Sequence, residues 1–455
     1  MAGQGHCSVP RFRTAQRQRR RPALLVRAVS RCATVEHARQ IVVRRDRRPG
    51  MVLPLEGRQG MKIALVLAHY TSTGGGTERW THHHAHMLIN AGHEVHLVAE
   101  YFDGAPHEAT CHHVDPAAST MRPHRLKFAD TAERLLRKLD VDVIHDMGDG
   151  WYCDLFMPHH GVRRAVYNQR TKILTPPHRW MRPAAFHLLP RYVLFKAMEK
   201  RQYAPDNRTT YLAVSDMVGR HMQHYHHVPA ERIRVIHNGV DAELFDPIGS
   251  YPHRRELRRV LRYELGVDGR VVFLLVAHDF RLKGLTPLIH AIGSMVERDL
   301  PVALIVVGRE QTSRYELLAE RCRCRQSVRF VGAQPDAIRY YHAADAYVQP
   351  TYYDSCSLTV LEALACGLPA ITTRFNGAAE LMQSGLHGHV IDNPDDIDEL
   401  VQALTKYLDP QTRQGAGLAA RKLAQRNTIE HNFERICNVY EQIAHDRPSR
   451  HVKSA

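Results

Sequence analysis

The chain has 455 residues, 44% apolar and 24% charged, enough for two domains with separate cores and too apolar for a disordered protein. Its formal charge of +15 points to a polyanionic partner until its distribution is read: residues 1–60 hold fourteen Arg, no Lys and three acids, so +11 of the +15 lies there. The remainder is only mildly basic, which argues against nucleic acid as the partner of the folded part, and no run approaches the ~18 apolar residues of a membrane-spanning helix.

Residues 1–60, with Arg-rich runs at 17–21 and 44–48, carry no helix or strand period and read as a disordered leader. Three readings of it stay open: a start codon placed too far upstream, a nucleic-acid or membrane tail, and an organellar transit peptide. At Met61 the text changes to Met-Lys-Ile-Ala-Leu-Val-Leu, an apolar strand over 62–68. A glycine-rich turn at 74–76, a helix near 78–91 and a strand Glu94–Ala99 follow, then apolar runs at Val141–His145, Leu155–Pro158 and Tyr211–Ser215. This alternation predicts parallel βαβ units buried on both faces. Residues 246–270, with Pro247, Gly249, Pro252 and a charged helix ending at Gly266, read as the interdomain connection.

A second series has strands at Val271–Ala277, Val302–Val307, Val328–Val331, Ala346–Gln349 and Ala370–Thr373, and from Pro410 the chain is helical to about His445. The expected domains are 61–245, 246–425 and a C-terminal helix and tail, 426–455. Two facing folds of this α/β class place a site in the crevice at the strands' carboxyl ends. Nine cysteines, an odd number without a secretory signal, argue for a reducing, cytoplasmic compartment.

The run from Tyr353 to Pro369 is the most informative. Ser357 is placed to cap a helix Leu358–Cys366 that Gly367 ends and Pro369 cannot continue. Glu362 is the only charge between Ser355 and Gly367, so it needs a polar partner on a largely buried helix. Such a carboxylate suits ribose hydroxyls, the amides of residues 356–358 suit a phosphate, and Asp354 is placed to contact a sugar. The plain alternative is a capped amphipathic helix with one exposed glutamate.

In His278-Asp279-Phe280-Arg281-Leu282-Lys283-Gly284 two cations sit at a strand's carboxyl end, where they would neutralise a leaving diphosphate; solvated surface charges are the alternative. Gly74, Gly75 and Gly76 let backbone approach a phosphate or sugar, though without the Lys-Ser/Thr ending of a P-loop. His159 and His160 follow a strand and face the same crevice, where one could hold a substrate hydroxyl or accept its proton. His82 and His86 have metal-ligand spacing on a helix without a third ligand, so no metal is expected. The segment 163–202 mixes Arg163, Arg170, Lys172, Arg179, Lys196 and Arg201 with Trp180, Phe186, Leu189 and Phe195, a basic amphipathic pattern that suits an anionic membrane surface, the alternative being a core helix with a basic solvated face.

The combination of Asp354, seven residues, Glu362 and Ala363-Leu-Ala-Cys-Gly-Leu-Pro369 resembles glycosyltransferase family 4, the group 1 glycosyltransferases of GT-B fold. Leu212–Asp216, His237-Asn238-Gly239-Val240-Asp241, Lys283-Gly284 and Glu380 agree with it, over about residues 61–445, and Asp279-Phe280-Arg281-Leu282-Lys283-Gly284 is similar to the lipopolysaccharide-core glucosyltransferase type. The resemblance implies a retaining, metal-independent transfer of a hexose from a nucleotide-diphosphate sugar such as UDP-glucose to a glycolipid or polysaccharide, with no cofactor, by an enzyme that is cytoplasmic or peripheral on the membrane's inner face. It implies Lys283 and Arg281 at the diphosphate, Glu362 at the ribose, Asp354 at the transferred sugar, Gly74–Gly76 on the phosphate side and His160 at the reacting region. Asp354 is one methylene shorter than the family's usual glutamate, Ser357 stands where glycine is common, and Arg281 lies nearer Lys283 than in many relatives. A nucleotide-sugar epimerase or hydrolase of the same fold and a weakly active lipid-binding scaffold are the rival readings.

Overall fold

A computed structural model describes residues 60–72, 75–118, 124–181, 190–204, 208–246 and 254–446. The leader and Gly74 lie outside the described residues, as do Arg182, Phe186, Leu188 and Leu189 of the basic segment.

In chain order the strands are β1 (Lys62–Val66), β2 (His69–Thr71), β3 (Glu94–Ala99), β4 (Tyr101–Asp103), β5 (Thr110–His113), β6 (Val143–Asp146), β7 (Leu155–Phe156), β8 (Thr210–Ala213) and β9 (Ile233–Val235). They are followed by β10 (Val271–Val276), β11 (Val302–Val307), β12 (Val328–Gly332), β13 (Ala346–Gln349), β14 (Ala370–Thr373) and β15 (Gly388–Ile391). Two parallel sheets result, ordered β5-β3-β1-β6-β7-β8-β9 and β12-β11-β10-β13-β14-β15, while β2 and β4 pair apart.

The central strands of both sheets are buried on both faces, which is why they read as unbroken apolar runs. Ile63 and Leu65 of β1 enter one core and Ala64 and Val66 another; in β10, Val272 and Leu274 part from Phe273 and Leu275 in the same way. One cluster contains residues of both halves, Ile63 and Val143 together with Val272 and Ile305, so the two sheets share apolar packing.

Each sheet reverses its winding at one place: β1 lies between β3 and β6, and β10 between β11 and β13. A parallel sheet opens a crevice outside the carboxyl ends of such a pair of strands. The loops after β10 and β13 carry Lys283 and Asp354.

The connection expected at 246–270 contributes a structured piece of the second half. Its helix Arg254–Glu264 places Arg258 and Arg262 on Asp345, at 2.7 and 3.1 Å, just before β13. The expected single C-terminal helix is two, Pro410–Arg426 and Ile429–Asp446. The second returns to the first sheet, where Tyr440 Oη bonds His84 Nε2 at 2.8 Å and His145 Nδ1 at 2.6 Å.

Gly284 follows Lys283 at φ +78°, and a Cβ there would lie 1.9 Å from the Pro350 carbonyl oxygen. Gly284→Ala therefore combines left-handed strain with a backbone clash, and a loss of roughly 2–5 kcal/mol is expected in denaturant unfolding. An unchanged midpoint would show that the loops after β10 and β13 are not packed this tightly.

Candidate functional site

In the loop after β10, Asp279 Oδ1 accepts from the Leu282 amide at 2.9 Å, and the Lys283 amide donates to the Asp279 carbonyl at 2.9 Å. This turn brings Lys283 Nζ to 2.5 Å from Asp354 Oδ2 in the loop after β13, with both side chains largely buried. Gln349 Nε2 donates to the same carboxylate oxygen at 3.3 Å. A pair removed from water in this way persists only when its remaining bonds are satisfied.

Helix α1 (Leu358–Ala365) begins at Ser357, whose Oγ accepts from the Val360 amide at 3.4 Å. The same hydroxyl donates to Gln349 Oε1 at 2.9 Å, and the Ser357 amide donates to Asn376 Oδ1 at 3.1 Å. Ser357 is thus committed to building the helix start, which corrects its expected role as a direct ligand. Leu358 and Thr359 lie in the first helical turn, where amides have no carbonyl partner within the helix. The buried Glu362 has the polar partners its position demands: Tyr341 Oη donates to Oε2 at 2.7 Å, and the Arg79 guanidinium from the other half lies 3.6 Å from Oε1.

Gly75 caps the helix Gly76–Asn90, which starts two residues earlier than expected. A Cβ on Gly76 would lie 3.7 Å from Leu358 Cδ1, so this helix start faces that of α1 across the crevice.

His159 and His160 point differently. His160 is exposed, and its pKa is lowered, first by desolvation and further by Arg163 and Arg125, while Asp149 and Glu78 oppose the shift. His159 is buried against the Trp80 ring, 4.6 Å between centroids, with its Nε2 unpartnered and its pKa lowered to about 3 by burial. The expectation that His159 lines the cleft is corrected: its side chain faces the core.

Burial lowers His84 to about 3 as well and holds His145 well below the ordinary value of 6.5. Each of these rings stays neutral in the fold and takes up a proton when unfolded, so stability is complete above about pH 6.5 and falls as pH drops towards 3. Asp146, raised to about 7 by burial and by Asp149, acts oppositely between its ordinary 3.8 and 7. With three histidines against one aspartate, stability is expected to decrease on acidification below pH 6.5, by roughly 1.4 kcal/mol per pH unit for each net proton. Urea titrations across this range check it, and rising stability towards pH 4 would contradict the buried neutral histidines.

Arg281 requires correction. Its guanidinium donates to the Ile173 carbonyl at 3.1 Å and lines an outer groove with Thr286, Arg314 and Tyr315, apart from the Lys283–Asp354 pair. The loop sends the two side chains to different surfaces, so adjacency in sequence does not make a cation pair. Three cleft groups were not legible in the sequence: His278, Arg79 and Arg309. His278 is exposed just after β10, with its pKa lowered by desolvation and then by the charges of Arg79, Arg309 and Lys283, while Glu78 opposes the shift. Arg309 also borders a cavity of about 570 Å³ at the ends of β11 and β12, lined by Gly308, Glu310, Phe330 and Gly332 among others. Its position directly after a buried strand is a signal that would have found it.

In segment 163–202, several cations are used internally. Arg163 bonds Gln202 Oε1 and the Gly148 carbonyl, Arg170 meets Asp279 at 2.7 Å, and Arg201 covers the Trp151 ring at 4.5 Å. Trp180 and Met181 are 74% and 65% exposed. No helix among the described residues is long and apolar enough to cross a membrane.

His82 Nδ1 is hydrogen-bonded to Tyr70 Oη at 3.1 Å. The one His/Cys/Asp/Glu group of metal-ligand spacing among the described residues is Asp216, His237 and Glu380. There the Glu380 oxygens already accept from the Asp216 and Met217 amides, each at 2.7 Å, and lie 2.9 Å from His237.

Two family profiles match the two halves: Glycosyltransferase Family 4 over residues 74–244 and Glycosyl transferases group 1 over residues 259–423. The chain belongs to the group 1, family 4 glycosyltransferases. It is 28% identical over 231 residues to the lipopolysaccharide glucosyltransferase WaaG of Escherichia coli K12, covering 49% of this chain and 59% of WaaG. It is 32% identical over 223 residues to a D-inositol 3-phosphate glycosyltransferase of Corynebacterium jeikeium, covering 46% and 52%. The matches thus span little more than half the length of these relatives. The WaaG crystal structure superposes with a TM-score of 0.70 at 22% identity, over 83% of this chain and 99% of that one. Anabaena Alr3699/HepE in complex with UDP-glucose does so with 0.62 at 19%, over 84% and 100%. This family 4 chain has the GT-B fold, two Rossmann-like halves around a cleft.

Proposed function

We propose that this glycosyltransferase moves a hexose, with retention and without a metal, from a UDP-sugar to a glycolipid or polysaccharide acceptor. The observation that carries the reading is the buried Lys283–Asp354 pair at the reversal point of the second sheet, with Glu362 one helical turn into α1 and Arg79 facing it from the first half. Anabaena Alr3699/HepE, of the same fold, has been solved with UDP-glucose, which supports UDP as the nucleotide.

In this reading the base occupies the cavity at the ends of β11 and β12, and Glu362 accepts the ribose hydroxyls. The diphosphate lies among Lys283, Arg309 and the amides of Leu358 and Thr359, while Asp354 holds the sugar. The C1–phosphate oxygen bond breaks as the acceptor oxygen bonds C1 on the same face, and the acceptor proton passes to the departing phosphate oxygen. Fixed cations stabilise that oxygen as charge builds, and the closed cleft supplies orientation. His160, kept neutral at physiological pH, accepts a hydrogen bond from a substrate hydroxyl. The exposed Trp180 and Met181 beside the basic segment support contact with an anionic membrane that carries the acceptor.

Incubation with UDP-glucose and membrane glycolipid in EDTA, followed by proton NMR of the product, tests this reading. A product with the donor's anomeric configuration supports it. Free glucose or an epimerised donor without acceptor would favour the hydrolase or epimerase alternative.

A further inference from the structure

Resting on the transferase reading, we propose that Tyr353 is a positioning residue: seated in the notch left by Gly161, it fixes the loop of Asp354 against the loop of His160, so that the donor and acceptor halves of the site meet in register. Tyr353 precedes Asp354 in the second half of the molecule, and Gly161 follows His160 in the first. The Tyr353 side chain is buried, and a Cβ built on Gly161 would lie 2.1 Å from its Oη, 2.9 Å from Cζ and 3.0 Å from Cε1. Gly161 also has φ +73°, so the notch needs glycine both for its backbone and for the space the phenol fills.

Shape, rather than a polar bond, makes this contact. Among the described residues the Tyr353 hydroxyl makes no hydrogen bond of good geometry, and the Val162 amide is the backbone donor that influences it. The His221 ring from the first half stacks on the phenol at 5.8 Å between centroids. Neighbouring contacts lead in the same direction: Ser355 Oγ donates to the His159 carbonyl, Asn238 Nδ2 donates to the Cys356 carbonyl at 2.8 Å, and Glu380 holds the start of the helix Asp216–His226. Tyr353 against Gly161 and Ser355 on the His159 carbonyl join the loop bearing Asp354 to the loop bearing His160 on either side of Asp354, and Tyr353 is the large side chain that keys them. A hydroxyl buried without a partner costs free energy, so the ring is the useful part and phenylalanine should serve as well.

Three variants test this: Tyr353→Phe, Tyr353→Ala and Gly161→Ala, each checked for folding by circular dichroism. The measurements are the UDP dissociation constant, turnover of UDP-glucose, and the radius of gyration of the unliganded protein by small-angle scattering. Tyr353→Phe is expected to match the wild type in all three. Tyr353→Ala and Gly161→Ala should bind UDP within about twofold of the wild type, lose roughly 100-fold in turnover through misplacement, and scatter as more open particles. Wild-type turnover in both, a UDP affinity that falls in parallel with turnover, or a Tyr353→Phe variant as impaired as Tyr353→Ala would each overturn the proposal. Gly161→Ala acts from the other side of the contact, so the test survives if Tyr353→Ala does not fold. A wild type that binds no UDP would count against the transferase reading alone, and scattering would still decide the contact: radii identical in all variants would refute it.

Discussion

Lys283→Ala is expected to reduce turnover of UDP-glucose by roughly 100- to 1,000-fold, the scale of losing one preorganised donor to a developing charge. Lys283 Nζ reaches the buried Asp354 carboxylate and is the cation the loop after β10 directs into the cleft. Its removal also leaves Asp354 with Gln349 as its one remaining side-chain partner among the described residues, and a largely buried charge that loses its partner costs up to about 3–5 kcal/mol. The double variant Lys283→Ala/Asp354→Ala should therefore unfold at higher denaturant than Lys283→Ala while remaining as inactive. Arg281→Ala provides the contrast: its guanidinium is bound to the Ile173 carbonyl outside the pair, so turnover should change less than about threefold. Steady-state rates for the two single variants decide the assignment. A large loss at Arg281 with a small one at Lys283 would reverse it.

Glu362→Gln is expected to weaken UDP binding about 10- to 100-fold and to leave the fold intact. A carboxylate accepting from ribose hydroxyls contributes roughly 1.5–3 kcal/mol beyond what water offers. The glutamine amide oxygen can still accept from Tyr341 Oη, now held at 2.7 Å, so no buried donor is stranded. Glu362→Ala leaves that hydroxyl with the longer bond to the Thr359 carbonyl, now 3.4 Å, and should cost roughly 1 kcal/mol of stability with the same loss of affinity. Calorimetric titration of UDP into both variants, set beside their unfolding midpoints, separates the two effects. Full-strength UDP binding by Glu362→Gln would remove Glu362 from the nucleotide site.

Much of the architecture was legible because buried parallel strands leave unbroken apolar runs. Glu94–Ala99, Val302–Val307, Ala346–Gln349 and Ala370–Thr373 match the expected bounds for that reason. The strands that escaped notice are peripheral and polar: β5 is Thr-Cys-His-His, mostly exposed, and β9 and β15 lie at or near sheet edges where alternation is weak. The return of the helix Ile429–Asp446 to the first sheet depends on Tyr440 meeting two histidines 356 and 295 residues away, which no local pattern encodes.

Near the site, the Ser357 cap and the polar partners of Glu362 were legible because a helix cap and a lone buried charge constrain each other within one short segment. Arg281 and His159 were misread because loop geometry, not spacing, decides which surface a side chain reaches. Arg79 acquires significance only when the two halves face each other. The role of Tyr353 depends on the space above Gly161, which the sequence does not display.

The most direct test of the central claim is a thermal-shift titration of the protein with UDP, GDP and ADP in EDTA, run alongside Glu362→Gln. A ligand that binds only the native state raises the melting temperature with its concentration. Saturable stabilisation by UDP in the wild type, much weakened in Glu362→Gln, is the predicted result. No stabilisation by any nucleoside diphosphate at millimolar concentration, or equal stabilisation of wild type and variant, would contradict a UDP-sugar site built on Lys283, Asp354 and Glu362.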